Sequence, residues 1–193
     1  MATKTQSVPV ERKAMGTETN GKSKKKSLHD LFEKELKSTY SAETQLVEAL
    51  PEFAKAADNE ELEQAINNHL EETKKHVSRI EKVFERLGIS KDNIDKCMNM
   101  ESLIEGGKKI IQEMDRSPVR DSALIIGAQK IEHHEIAVYG SLCELADVLG
   151  EDRIADLLNR TLEEEEEADK LLTDIARDVN DEARELAEQE YAS

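Results

Sequence analysis

The amino-acid sequence predicts an all-α fold: a four-helix bundle whose second and third helices are joined by a long crossover carrying a short extra helix. Three observations lead there. Charged residues make up 36% of the 193, Trp is absent and aromatics reach only 3%, a composition typical of long helices. Apolar residues recur with helical period in four extended stretches from Leu28 onward. The chain also repeats itself, because 50–72 overlays 142–164 without a gap, with Leu50/Leu142, Glu52/Glu144, Ala54/Ala146, Asn67/Asn159, Leu70/Leu162 and Glu71/Glu163 identical. Glu43 and Glu72 recur 92 residues on as Glu135 and Glu164, so two copies of one helical hairpin are expected.

The first helix is read from Leu28, with Leu31, Phe32, Leu36, Leu46, Leu50 and Phe53 on one side of the wheel. Pro51 lacks the N–H its turn needs and is expected to kink or break it. The acidic joint 58–61 offers Asp58 or Asn59 as N-cap of the second helix, which runs through Leu62, Ile66, Leu70, Val77, Ile80 and Phe84 to Gly88, a residue suited to the position just past a helix end. Residues 89–120 form the crossover. Its weaker helical stretch, Met100 to Met114, is expected to be interrupted at Gly106 and Gly107. A connection of this length can span the bundle, which would let the second and third helices run parallel. Ser117-Pro118 starts the third helix, which carries Leu124, Ala128, Ile131, Tyr139, Leu142 and Ala146 and ends at Gly150. The fourth follows with Ile154, Leu158, Leu162, Leu172 and Ile175. Past Asn180 the apolar pattern thins, and residues 181–193 read as a charged extension that frays or packs loosely.

The domain thus spans 28–180, preceded by a basic tail over 1–27 that is too polar to offset the cost of ordering. Formal net charge is −16, distributed as about +5 on the tail and about −21 on the remainder. An acidic body argues against nucleic-acid binding by the folded domain and suits attraction of cations. Cys97 and Cys143 form no Cys-x-x-Cys motif, so free thiols in a reducing compartment are expected. The start of the chain has no apolar run of signal-peptide length, and no 18-residue apolar stretch occurs, so a cytoplasmic protein without a membrane role is expected.

Several carboxylates fall on the apolar side of their own helices. Glu135 lies near the centre of its apolar face, Glu43 about 30° off, Glu165 about 40°, and Glu132 and Glu164 about 60°. Glu72 is less central, about 100° away, and shares its flank with His69 and His76. Isolated buried charges each cost several kcal/mol, and Lys or Arg are scarce on these faces. Metal ions are the economical counter-charge, and an oxygen-rich set with one or two imidazoles suits iron or manganese. The competing reading has rim glutamates snorkelling to water and the run 163–167 forming a solvated face.

At these residues the chain resembles the YciE/YciF group of bacterial ferritin-like proteins. The likeness is carried by Thr39-Tyr40-Ser41-Ala42-Glu43-Thr44-Gln45-Leu46, His69-Leu70-Glu71-Glu72-Thr73, Asp121-Ser122-Ala123-Leu124-Ile125, the run 128–140 around Glu132-His133-His134-Glu135, and Thr161-Leu162-Glu163-Glu164-Glu165. The resemblance implies a ferritin-like bundle with a di-iron centre, stress-associated expression and homodimers. It further implies Glu43 as first-helix ligand, Glu72 as second-helix ligand, Glu132 and Glu135 as the third-helix pair, and Glu164 or Glu165 from the fourth. The broader ferritin-like pattern places His three residues after the glutamates of the second and fourth helices. Here Lys75 and Glu167 stand there, so His69 or His76 would supply nitrogen from an altered register.

The leading functional expectation is a ferritin-like di-metal protein holding two iron ions, with manganese as the alternative, that oxidises Fe(II) with O2 or H2O2. Glu72 and Glu135 are the expected bridges, and Tyr40 and Tyr139 candidate donors behind the ligands. Two rivals stand beside it: a non-enzymatic helical stress or scaffold protein with a vestigial or structural metal site, and a manganese catalase-like protein disproportionating peroxide.

Overall fold

The computed structural model describes residues 26–192, so the basic tail expected over 1–27 lies, but for its last two residues, outside the described part. Five helices make up the described chain: α1 (Leu28–Ala56), α2 (Glu60–Leu87), α3 (Met98–Glu113), α4 (Pro118–Val148) and α5 (Asp152–Ala192). No strand occurs among the described residues. Four long helices form the bundle, and α3 sits in the crossover against α1 and α4.

Local sequence accounts for most of the boundaries. Ser27 and Asp30 form a reciprocal capping box, with Ser27 N–H donating to Asp30 at 2.7 Å and Asp30 N–H to Ser27 Oγ at 3.1 Å. Asn59 Oδ1 accepts from Glu61 and Leu62 N–H, each at 3.0 Å, and caps α2. Gly88 adopts φ 67° and closes α2 in the left-handed region. Ser117 caps α4 with Pro118 in the first turn. Asp121, 1% exposed, accepts from the N–H groups of Asp58 and Asn59, which pins the start of α4 to the α1–α2 joint.

Two expected interruptions do not occur. α1 runs through Pro51 to Ala56 unbroken. A mid-helix proline costs about 3 kcal/mol, and the turn after it buries Phe53, Ala54 and Ala56; one large apolar side chain alone returns about 1.5–3 kcal/mol. α3 is likewise continuous across Gly106 and Gly107. Gly107 is needed for close approach, since a Cβ there would lie 2.8 Å from Phe53 Cζ. α5 continues as a helix to Ala192, and of residues 181–189 all but Ala183 are exposed, so the charged extension keeps its helix while packing loosely, one of the two outcomes expected of it.

The core divides into two apolar clusters. One holds Leu46, Leu50, Phe53, Leu62, Ile66, Leu124, Ile125, Leu172 and Ile175. The other holds Phe32, Leu36, Ile80, Phe84, Leu142, Ala146, Ile154 and Leu158. Leu62 therefore lies level with Leu124, and Ile80 with Leu142, so α2 and α4 run parallel as the crossover length predicts, each antiparallel to its hairpin partner. Between the clusters along the helices lies a buried polar layer of Glu43, His69, Thr73, His76, Glu132, Glu135, Thr161 and Glu165.

Candidate metal centre

Each helix brings polar residues to this layer on the stripe that elsewhere carries its apolar side chains. Glu43 follows Leu36 and Thr39 and precedes Leu46 on α1, all of them buried. On α2, His69, Thr73 and His76 continue the stripe of Leu62 and Ile66 toward Ile80. Glu132 and Glu135 stand three apart on α4, between Ile131 and Tyr139. Glu165 lies on α5 one turn from Thr161, and both are fully buried.

Two overlapping groups result. His69, Glu132, Glu135 and Glu165 each offer one ligand atom, all within 4.8 Å of one another, and Glu43, His76 and Glu165 do the same. Glu165 belongs to both. His69 Nε2 lies 3.6 Å from Glu132 Oε1, and His69 Nδ1 3.9 Å from Glu165 Oε2. His76 Nδ1 is 2.9 Å from Glu165 Oε1 and 3.6 Å from Glu43 Oε2, as ion-pair contacts outside hydrogen-bond alignment. Tyr139 donates its hydroxyl to Glu43 Oε1.

Other polar partners are few. Among the described residues ten buried side-chain nitrogen or oxygen atoms have no hydrogen-bond partner, and nine belong to Glu43, His69, His76, Glu132, Glu135 and Glu165. Leaving such an atom unpaired costs about 1–3 kcal/mol. Four carboxylates and two imidazoles, buried and facing one another, form a donor set that could hold a metal ion.

The protonation pattern of the cluster follows from burial. Desolvation pushes the Glu132 and Glu135 carboxyls well above the usual range, and Glu165 and Glu43 nearby raise them further. Glu43 is raised by burial too, with His76 and the Tyr139 hydroxyl pulling against it. Burial alone would lower His76, but the Glu165 and Glu43 carboxylates outweigh it and hold its pKa at about 10. Burial and the Glu43 charge push the Tyr139 hydroxyl well up.

The residues singled out in the sequence separate in space. Glu43, His69, His76, Glu132, Glu135 and Glu165 converge. Glu164 does not join either group: Arg79 grips both its oxygens, Nη2 donating to Oε1 at 2.7 Å and Nη1 to Oε2, and His76 Nε2 lies 2.8 Å from Oε2. Burial would raise Glu164, yet Arg79 and His76 bring its pKa below the ordinary value. Glu72 is half-buried on the wall of a pocket beside the cluster, so Glu165 holds the shared position expected of Glu72. Tyr40 donates to Glu81 at 3.2 Å, away from the cluster. Arg79 was not singled out in the sequence. Its spacing, three residues after His76 on α2, is the signal by which it could have been found.

Comparison with known proteins supplies the family context. Residues 27–185 match the family described as Domain of unknown function (DUF892). The chain is 47% identical to Protein YciF of Escherichia coli K12 over 163 residues, 84% of this chain and 98% of that protein. The crystal structure of the E. coli stress protein YciF superposes with a TM-score of 0.74 at 46% identity, covering 81% of this chain and 98% of that one. YcfI of Rhodopseudomonas palustris gives 0.74 at 36% identity, covering 79% and 96%. A Xanthomonas campestris protein, 22% identical with a TM-score of 0.65 over 86% of this chain and 99% of that one, shares the fold.

Proposed function

The chain belongs to the DUF892 family together with YciF, and on that premise we propose that it is a ferritin-like di-iron carboxylate protein that oxidises Fe(II) with O2 or H2O2 under stress. The observation that carries this reading is the convergence of nine unpartnered buried donor atoms from α1, α2, α4 and α5 on one layer. His69, Glu132 and Glu135 would hold one ion and Glu43 and His76 the other, with Glu165 between them. When bound, the iron pair supplies Lewis acidity and a change of oxidation state, and hard anionic ligands favour Fe(III). The protein's own part is to bury the layer between two apolar clusters and to orient its ligands. Tyr139 fixes Glu43, and Arg79 draws Glu164 away from the ions.

Further support is indirect. The stress association is carried over from the E. coli stress protein YciF. Free thiols at Cys97 and Cys143 suit the reducing cytoplasm, and no helix among the described residues is long and apolar enough to cross a membrane. The homodimer rests on the family resemblance alone.

A second reading, a non-enzymatic helical stress protein, draws on His76. Charged at neutral pH, it already gives the carboxylates one positive partner, so protons on Glu132 and Glu135 could complete the balance. Following O2 and H2O2 while Fe(II) is added to the reconstituted protein separates the two. The di-iron reading predicts Fe(III) formation well above the buffer rate, abolished in Glu132→Ala/Glu135→Ala; oxidation at the buffer rate in wild type would support the structural reading. Evolution of O2 from peroxide by the manganese-loaded protein would instead support disproportionation.

A further inference from the structure

A pocket of about 190 Å³ opens between α2 and α5 and reaches the buried cluster. His69 and Glu132 line it, only 8% and 3% exposed, and His69 Nδ1, His69 Nε2 and Glu132 Oε2 have no hydrogen-bond partner. The outer wall carries Glu72, Glu164 and Glu167. Arg79 and His76 occupy Glu164, whereas Glu72 and Glu167 make no hydrogen bond or ion pair with any described residue. Among the other lining residues Asn68 alone carries a polar side chain. A smaller pocket, about 60 Å³, approaches Glu135 from the other side, with Glu35 and His134 in its lining.

From this arrangement we infer that Glu72 and Glu167 form an outer station for a hydrated divalent cation, and that this pocket is the route by which the buried cluster is loaded. Two unpaired carboxylates at a partly shielded mouth concentrate cations from a solution already drawn to an acidic body. Apart from its carboxylates and His69 the lining offers an ion only the neutral amide of Asn68, so the ion halts chiefly at the acidic wall or at His69 and Glu132. The larger pocket is favoured over the smaller because its lining carries more uncompensated negative charge. The inference rests on the metal reading above and gives Glu72 a role in delivery rather than ligation.

The test is the rate at which the metal-free full-length protein takes up Co(II), followed by its ligand-field absorption in a stopped-flow instrument. The variants are Glu72→Gln/Glu167→Gln and, at the smaller pocket, Glu35→Gln. Glu72→Gln/Glu167→Gln is expected to load about tenfold or more slowly than wild type, to lose most of the salt dependence of the rate, and to reach the same final Co(II) content. Glu35→Gln is expected to load at the wild-type rate. Unchanged loading by the double variant, or slowing confined to Glu35→Gln, would overturn the route while leaving the metal reading intact. A lower final Co(II) content in the double variant would make Glu72 or Glu167 a ligand and overturn the delivery role. Wild type that takes up no Co(II) would overturn the metal reading and the route with it.

Discussion

The α1–α2 and α4–α5 hairpins are offset copies in sequence, yet they bring different chemistry to the shared layer. Glu43 and Glu135 are equivalent, and both are buried in the cluster. Elsewhere the halves part. Where the first hairpin has His69, Thr73 and His76, the second has Thr161, Glu165 and Ala168, and Tyr40 corresponds to Glu132. The first hairpin therefore gives both imidazoles, and the second gives three of the four carboxylates. Repetition of the scaffold sets which positions look inward, while the residue at each position sets the donor. The Glu72/Glu164 pair, conspicuous in the sequence, stands outside both ligand groups.

The sharpest way to break this comparison is to remove the one residue both groups share. Glu165→Ala is predicted to abolish retention of both ions, while the metal-free protein loses stability because buried His76 is left without its 2.9 Å carboxylate partner. Metal analysis and thermal unfolding check the two halves of the prediction, and retention of one ion would show that Glu165 is not shared.

Single replacements from each hairpin should have smaller, separable effects. His69→Ala is predicted to weaken the ion held with Glu132 and Glu135, and His76→Ala the one held with Glu43, each leaving about one ion per chain. Titration with Co(II) would follow both, and simultaneous loss of both ions in either variant would argue for one undivided site.

Acidity tests the second hairpin's carboxyls. In the metal-free protein Glu132 and Glu135 have raised pKa values, so the folded state holds protons that the unfolded chain releases above about pH 4.5. Stability should fall as pH rises above that value, by about 1.4 kcal/mol per pH unit for each proton held. His76 adds in the same direction: its contribution is complete below 6.5 and is lost as pH rises through about 10. Glu164 acts oppositely, its stabilisation being present above 4.5 and lost as pH falls through its lowered value. Loaded protein should show a flatter profile and an apparent metal affinity that increases with pH, since binding displaces protons. Denaturant unfolding between pH 5 and 9 measures both, and a metal-free protein that gains stability across that range would contradict the assignment.

The smallest expected effect concerns support rather than ligation. Tyr139→Phe removes the hydroxyl that holds Glu43, and affinity for the Glu43–His76 ion should drop about tenfold with stoichiometry unchanged. An unaltered affinity would make Tyr139 a packing residue.

The fold was legible because period, caps and glycine positions are local properties. Asn59, Gly88 and Ser117-Pro118 end or begin helices where the sequence indicates. Pro51 and the Gly106-Gly107 pair misled, because tertiary burial around Phe53 overrides a local weakness. In the cluster, Glu43 and Glu135 stood out as central on their apolar faces. The wheel could not separate Glu164 from Glu165, since they lie about 60° and about 40° off the apolar mean on opposite sides of it, both within the broad inward face. What separates them is Arg79, a neighbour on another helix. Glu72 was singled out through its identity with Glu164, and its angle of about 100° places it at the flank where the structure shows it half-buried.

The most direct test of the di-metal account is the iron content of protein reconstituted anaerobically with Fe(II), in wild type and Glu43→Ala/Glu135→Ala, followed optically on exposure to air. The account predicts about two irons per chain in wild type, none retained in the double variant, unchanged helical circular dichroism in both, and an oxo-bridged Fe(III) absorption that grows only in wild type. Wild-type protein that keeps its helical fold and retains no iron would contradict it.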